Sequence, residues 1–253
     1  MNQQGFNPFA NIPAVSKNLI IINILFWLAT AIMSNLDLTG ILGLHYPTSD
    51  KFRLYQIITY MFMHGSLGHI FFNMFAVFMF GRILESVWGP KRFLSYYMIT
   101  GIGAGLINIL VAYIRIKSAE ANLDPALVSM VYNDMAEILK EGKLYLESDA
   151  KNLSIMISAI NTTTVGASGA VFGILLAFGM LFPNMPLYII PFPFPIKAKY
   201  MVIGYGVIEL FAGIADFDFD NIAHFAHLGG MLFGIILVLY WRKKDRNNGR
   251  YFY

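Results

Sequence analysis

The sequence predicts an all-α membrane protein, a bundle of six transmembrane helices with one polar insertion outside the membrane between the third and fourth. Three observations carry this reading. Hydrophobic residues make up 57% of the 253 positions and charged residues only 13%, far from the soluble mixture of roughly half apolar and a quarter charged. The apolar residues fall in blocks of about 17 to 25, each long enough to cross a hydrocarbon core. These blocks also lack the alternation of barrel strands, so helices are left as the way to pair backbone groups in lipid.

The expected spans lie near residues 18–34, 69–88, 93–114, 166–183, 199–215 and 222–241. Residues 1–17, with Gly5, Pro8 and Pro13, read as a flexible tail, residues 18–241 as one membrane domain, and residues 242–253 as a basic tail. A cleaved leader is the alternative for the first block, because Ala29-Thr30-Ala31 resembles a processing site. Only Lys17 precedes that run, and the later blocks make a retained span the simpler account. Pro183, Pro186, Pro191, Pro193 and Pro195 break any helix between the fourth and fifth blocks and predict an extended loop.

Orientation follows from the basic residues. Lys91 and Arg92, Lys197 and Lys199, and the group Arg242, Lys243, Lys244, Arg246 and Arg250 share one side of the six-span layout. The positive-inside rule assigns that side, and both termini, to the cytoplasm. Asp216, Asp218 and Asp220 fall on the other side, while Lys51 and Arg53 run against the trend. The polar insertion, about residues 116–164, is then external. Within it Asp124-Pro125 forms a helix start, followed by Leu127, Val131, Met135, Ile138 and Leu139 at helical spacing. This predicts an amphipathic helix, packed on the domain or else touching substrate or the membrane surface.

Composition also excludes functions. The net charge is only +3, with no basic patch interleaved with aromatics, so nucleic acid is not an expected partner. Cysteine is absent, which removes disulfides, thiolate metal sites and a cysteine nucleophile.

Strongly polar groups inside spans are costly and therefore mark candidate sites. His69 and Asn73 lie in the second block, Ser168 at the start of the fourth, Glu209 in the fifth, and His224 and His227 in the sixth. Ser168 sits in Gly166-Ala167-Ser168-Gly169 at a helix start, where unpaired backbone N–H groups can stabilise an oxyanion. Gly166, Gly169 and Gly173 allow another helix to approach, and Gly230 and Gly234 line one face of the sixth block with His227. A neutral imidazole beside a serine hydroxyl is the minimal nucleophilic arrangement. No obvious third residue orients the imidazole, so a dyad is expected, and Glu209 reads as a structural hydrogen-bonding residue that no motif ties to the chemistry. His69 and Asn73 at i and i+4 share a face and can both donate to a developing negative charge. A competing reading gathers His64, His69, His224 and His227 as metal ligands, but no acidic residue stands at ligand spacing within a span.

Three motifs together resemble the rhomboid family: His69-x-x-x-Asn73, Gly166-x-Ser168-Gly169, and Ala226-His227-Leu228-Gly229-Gly230. The resemblance covers about residues 18–241 and implies a six-helix intramembrane serine endopeptidase. In its terms Ser168 is the nucleophile and His227 the base, a choice over His224 that only the resemblance makes. His69, Asn73 and the Ser168 N–H form the oxyanion hole, and Phe172 stacks on the catalytic histidine. Gly81-x-x-x-Glu85 resembles a structural motif of the family. The implied partners are transmembrane protein substrates and the lipid bilayer. The implied location is a bacterial inner membrane, and neither cofactor nor metal is called for. A non-catalytic rhomboid-like binder and a proton-relaying transporter are the alternatives. The chain departs from the family at Tyr55-Gln56, where many members carry Trp-Arg, and in its long insertion.

Overall fold

The computed structural model describes residues 12–133, 147–188, 194–214 and 221–248. Helix α1 spans Ala14–Ile32. Short helices α2 (Leu38–Leu42) and α3 (Gln56–Thr59) lie in the following loop. Next, α4 (Leu67–Ala76) runs through a π-helical turn at Val77–Gly81 into α5 (Arg82–Trp88). Gly89, at φ 78°, ends that helix, and Pro90 begins the 31-residue α6 (Pro90–Glu120). This pairing uses glycine where the left-handed conformation is needed and proline where its missing N–H costs nothing. Then come α7 (Pro125–Asn133), α8 (Glu147–Asn161), α9 (Ser168–Leu181), α10 (Ala198–Ile214) and α11 (Asn221–Asn247).

Among the described residues, four helices are long and apolar enough to cross a membrane: Ala14–Ile32, Leu67–Trp88, Pro90–Glu120 and His224–Asn247. The other two expected spans form shorter helices, α9 of 14 residues and α10 of 17. At 1.5 Å per residue α9 is only about 21 Å long. In a bundle crossing a hydrocarbon core of about 30 Å, such a helix leaves an end within the apolar depth.

Small residues let α6, α9 and α11 pack at close range. A Cβ on Gly173 would lie 2.8 Å from the Thr100 side chain, one on Gly234 2.4 Å from Tyr96 Oη, and one on Gly103 2.4 Å from the Phe233 ring. Tyr96 Oη also donates to Gly173 O at 2.7 Å, a polar tie where lipid offers no hydrophobic drive between helices. Outward faces stay apolar, with Ile203, Ile208, Phe211, Ile236 and Leu239 exposed.

Buried polar side chains fasten the ends. Glu85 accepts from Val15 N (2.9 Å), Ser16 N (2.7 Å) and Ser16 Oγ (2.7 Å), capping the first turn of α1. The helix therefore starts at Ala14, inside the stretch expected to be a tail. Gln56, fully buried, accepts from Arg53 N (3.1 Å) and His45 N (3.4 Å) and donates to Ile41 O (3.0 Å) and Lys51 O (2.9 Å). This chain thus closes its first loop with a neutral amide. At the opposite end Arg92 forks onto Asp245 at 2.8 and 3.0 Å, and Arg242 donates to Met180 O. These ties carry α11 to Asn247, beyond the expected boundary at residue 241.

In the expected insertion Asp124 Oδ1 accepts from Ala126 N, and α7 follows as far as Asn133; residues 134–139 of the predicted helix lie outside the described residues. Val131 packs with Leu153, Met156, Ala159 and Ile160 of α8 and Ile116 and Ala119 of α6 in a separate apolar cluster. Helices α7 and α8 are accordingly docked on the end of α6. In the proline-rich connection, β1 (Pro186–Leu187) pairs antiparallel with β2 (Ile196–Lys197), and the part of the expected loop holding Pro191 and Pro193 lies outside the described residues.

Candidate active site

The site lies where α9 begins. Gly166 has φ 124°, open to glycine and strained for other residues. Its N–H donates to Tyr60 O at 2.9 Å, and the chain turns into the helix at Ser168. Ser168 is half-buried at the first helical position. The leading N–H groups of a helix lack intrahelical partners, so its amide is a donor beside its own hydroxyl.

His227 comes from α11, and its Nε2 stands 2.8 Å from Ser168 Oγ. Gly230, one turn on, makes this possible: a Cβ there would sit 1.9 Å from Gly169 O, so backbone touches backbone. A Cβ on Gly169 would lie 2.3 Å from Ala104 Cβ, which brings α6 equally close. The Phe172 ring stacks on the imidazole, with centroids 4.3 Å apart and planes at 9°. This fixes the ring plane of His227.

Sequence reasoning missed the far side of that imidazole. Glu209 Oε2 lies 3.0 Å from His227 Nδ1 and 2.6 Å from His224 Nδ1. The sequence points to no third residue and to a structural Glu209, whereas α10 brings its carboxylate to the imidazole. A lone acid in an apolar run was the available signal. Its azimuth relative to α11 was not in the sequence. An ionised carboxylate only accepts, so both imidazoles donate through Nδ1. That tautomer of His227 leaves Nε2 as acceptor for the serine hydroxyl. His224 touches Glu209 and not Ser168, so the contact with the hydroxyl separates the two histidines.

His69 and Asn73 lie on α4. Ser66 Oγ caps that helix by accepting from His69 N at 3.1 Å. A Cβ on Gly166 would fall 2.6 Å from His69 Nε2 and 3.7 Å from Ser168 Oγ, so the imidazole borders the serine. Asn73 is buried and its Nδ2 meets no hydrogen-bond partner. Buried donors are normally satisfied, so this amide has hydrogen-bonding capacity left over. His64 packs edge-on against His69 with centroids 4.9 Å apart. Burial, followed by the neighbouring His69, lowers the His64 pKa to about 4.

Among the described residues, His64, His69, His224 and His227 do not converge as a four-imidazole set. The group that converges is Glu209, His224 and His227, whose donor atoms lie within 4.8 Å of one another. The contacts of 2.6 and 3.0 Å are hydrogen-bond spacings. Ligands around a tetrahedral zinc stand about 3.3 Å apart, so an ion would have to spread the group.

A helical membrane bundle with a serine and a histidine hydrogen-bonded across two glycine-packed helices defines the class. The rhomboid domain model matches residues 51–116 and 141–244, and the chain belongs to the rhomboid family. It is similar to Rhomboid protein 1, mitochondrial, of Saccharomyces cerevisiae, 27% identical over 188 residues, 74% of this chain and 42% of that protein. Rhomboid-like protein 11, chloroplastic, of Arabidopsis thaliana is 24% identical over 196 residues, 73% of this chain and 51% of that protein. Rhomboid protease AarA of Providencia stuartii is 25% identical over 185 residues, 71% of this chain and 53% of that protein. The chain spans about half the length of the curated relatives it matches.

Proposed function

We propose that this protein is an intramembrane serine endopeptidase that cuts other membrane proteins in or near their transmembrane segments. The observation that carries the reading is the 2.8 Å contact between Ser168 Oγ and His227 Nε2 at the start of the short apolar helix α9. His227 takes the hydroxyl proton as Ser168 attacks the scissile carbonyl, and then delivers it to the leaving amine. The oxyanion receives hydrogen bonds from the Ser168 N–H, Asn73 Nδ2 and His69. Water activated by His227 releases the acyl-enzyme. No cofactor enters any step. A transmembrane helix hides its carbonyls in its own hydrogen bonds, so substrates are spans that unwind locally near small or helix-breaking residues.

The same reading takes α1, α4–α5, α6, α9, α10 and α11 as six spans of a bacterial inner-membrane protein with cytoplasmic termini. The distribution of Lys and Arg supports this. The family match is interrupted between residues 116 and 141, which supports reading the segment around α7 as an external insertion.

The test uses purified protein in liposomes. It should release fragments from a transmembrane reporter peptide and be labelled at Ser168 by a fluorophosphonate, while Ser168→Ala does neither and stays folded. Cleavage by Ser168→Ala at the wild-type rate would overturn the mechanism, and a folded wild type that is never labelled would point to a non-catalytic binder.

A further inference from the structure

Resting on the protease reading, we propose that Glu209 is a positioning residue of the catalytic machinery, making the unit Ser168–His227–Glu209 rather than a serine–histidine pair alone. Three contacts lie in sequence: Ser168 Oγ to His227 Nε2 at 2.8 Å, His227 Nδ1 to Glu209 Oε2 at 3.0 Å, and Glu209 Oε2 to His224 Nδ1 at 2.6 Å. The two ring nitrogens of His227 are thus both engaged, one by the nucleophile and one by a carboxylate.

The placement has a chemical consequence. A free imidazole distributes its proton between Nδ1 and Nε2, and only the Nδ1–H form can accept from serine. Glu209 selects that form, because a carboxylate oxygen accepts from Nδ1–H. When His227 takes the serine proton, the imidazolium lies beside a negative charge that is already in place, with no solvent to reorganise. His224, one turn earlier on α11, donates to the same oxygen as a second, independent partner of the carboxylate. Phe172 holds the ring plane from its face at 4.3 Å. The Glu209 and His227 side chains are only 11% and 19% exposed, so water is a poor substitute for either contact. A buried acid in an apolar helix is expensive to maintain, and its contact with the base is the return on that cost.

The experiment compares wild type, Glu209→Gln and Glu209→Asp of the full chain in liposomes. Glu209→Gln should lower kcat by at least about 100-fold and as much as roughly 10⁴-fold, with KM changed less than about threefold. The low-field proton resonance of His227 Nδ1–H should vanish in Glu209→Gln. Glu209→Asp keeps the charge on a shorter arm and should recover at least about tenfold of the lost kcat. A purely structural Glu209 predicts parallel losses of folding, KM and kcat, with no recovery specific to charge. The inference is overturned if folded Glu209→Gln cleaves within about threefold of wild type or keeps the low-field signal. Should Glu209→Gln not fold, folded Glu209→Asp decides: loss of its low-field signal at full activity overturns the inference. A wild type that neither cleaves nor is labelled at Ser168 refutes the protease reading, an outcome distinct from an active wild type with an equally active Glu209→Gln.

Discussion

Gly230→Ala tests whether backbone contact between α9 and α11 sets the catalytic distance. The added carbon would sit 1.9 Å from Gly169 O and 2.7 Å from Gly169 C, where ordinary contact begins at 3.4 Å. The obstacle is main chain and has no rotamer to escape into, so the helices must part by about 1.5 Å at that point. Ser168 precedes Gly169 and His227 lies one turn from Gly230, so the same displacement acts on their 2.8 Å contact. It stretches to about 4 Å, beyond hydrogen-bonding reach. A misplacement of about 1 Å in an active site costs on the order of 100-fold in rate. Gly230→Ala should therefore cleave a transmembrane reporter about 100-fold more slowly, although both reacting residues are intact. Single-turnover cleavage in liposomes measures it, with fluorophosphonate labelling of Ser168 as a second readout and circular dichroism to show folded protein. A folded Gly230→Ala within threefold of wild type, or one slowed no more than Gly204→Ala, would refute the reasoning, since a Cβ on Gly204 meets nothing within 4 Å.

Other expectations follow from contacts elsewhere. Asn73→Ala should lower kcat by about 10²- to 10³-fold with little change in melting temperature, because its Nδ2 bonds nothing in the resting protein. His224→Ala should slow cleavage by no more than about tenfold, because Glu209 still meets His227, whereas His227→Ala should abolish cleavage. Gln56→Leu strands the N–H groups of His45 and Arg53 and the Lys51 carbonyl, while Ile41 O keeps Tyr55 Oη, and should cost about 2–4 kcal/mol in reversible denaturation in detergent. The lowered pKa of His64, about 4 against 6.5 unfolded, means the unfolded chain binds the extra proton. The associated stability is complete above about pH 6.5 and is lost as pH falls toward 4, by about 3 kcal/mol in all. Melting temperature measured against pH should show this slope in wild type, reduced in His64→Gln.

Much of the candidate site is legible in the chain because its constraints are local. Gly166 and Ser168 announce a turn into a helix, and His69 and Asn73 share a face by their spacing alone. Gly230 and Gly234 mark a face that must be approached closely. The role of Glu85 was expected to be structural, yet its partners, the first N–H groups of α1, lie 69 and 70 residues away and have no pattern linking them to it. Gln56 is a similar case. Where many family members carry Trp-Arg, the structure shows an amide whose two ends match two N–H groups and two carbonyls.

By itself the sequence determined that the chain is helical and belongs in a membrane, because long apolar blocks without strand alternation leave no other way to satisfy the backbone in lipid. It also determined which polar residues could be paired in a site, since few occur inside those blocks. Only the tertiary structure decided how they meet. The rotation of α11 turns His227, and not His224, to Ser168, while the rotation of α10 turns Glu209 to both. Those angles are set by ridges and small residues on several helices at once, an outcome no single helix period encodes.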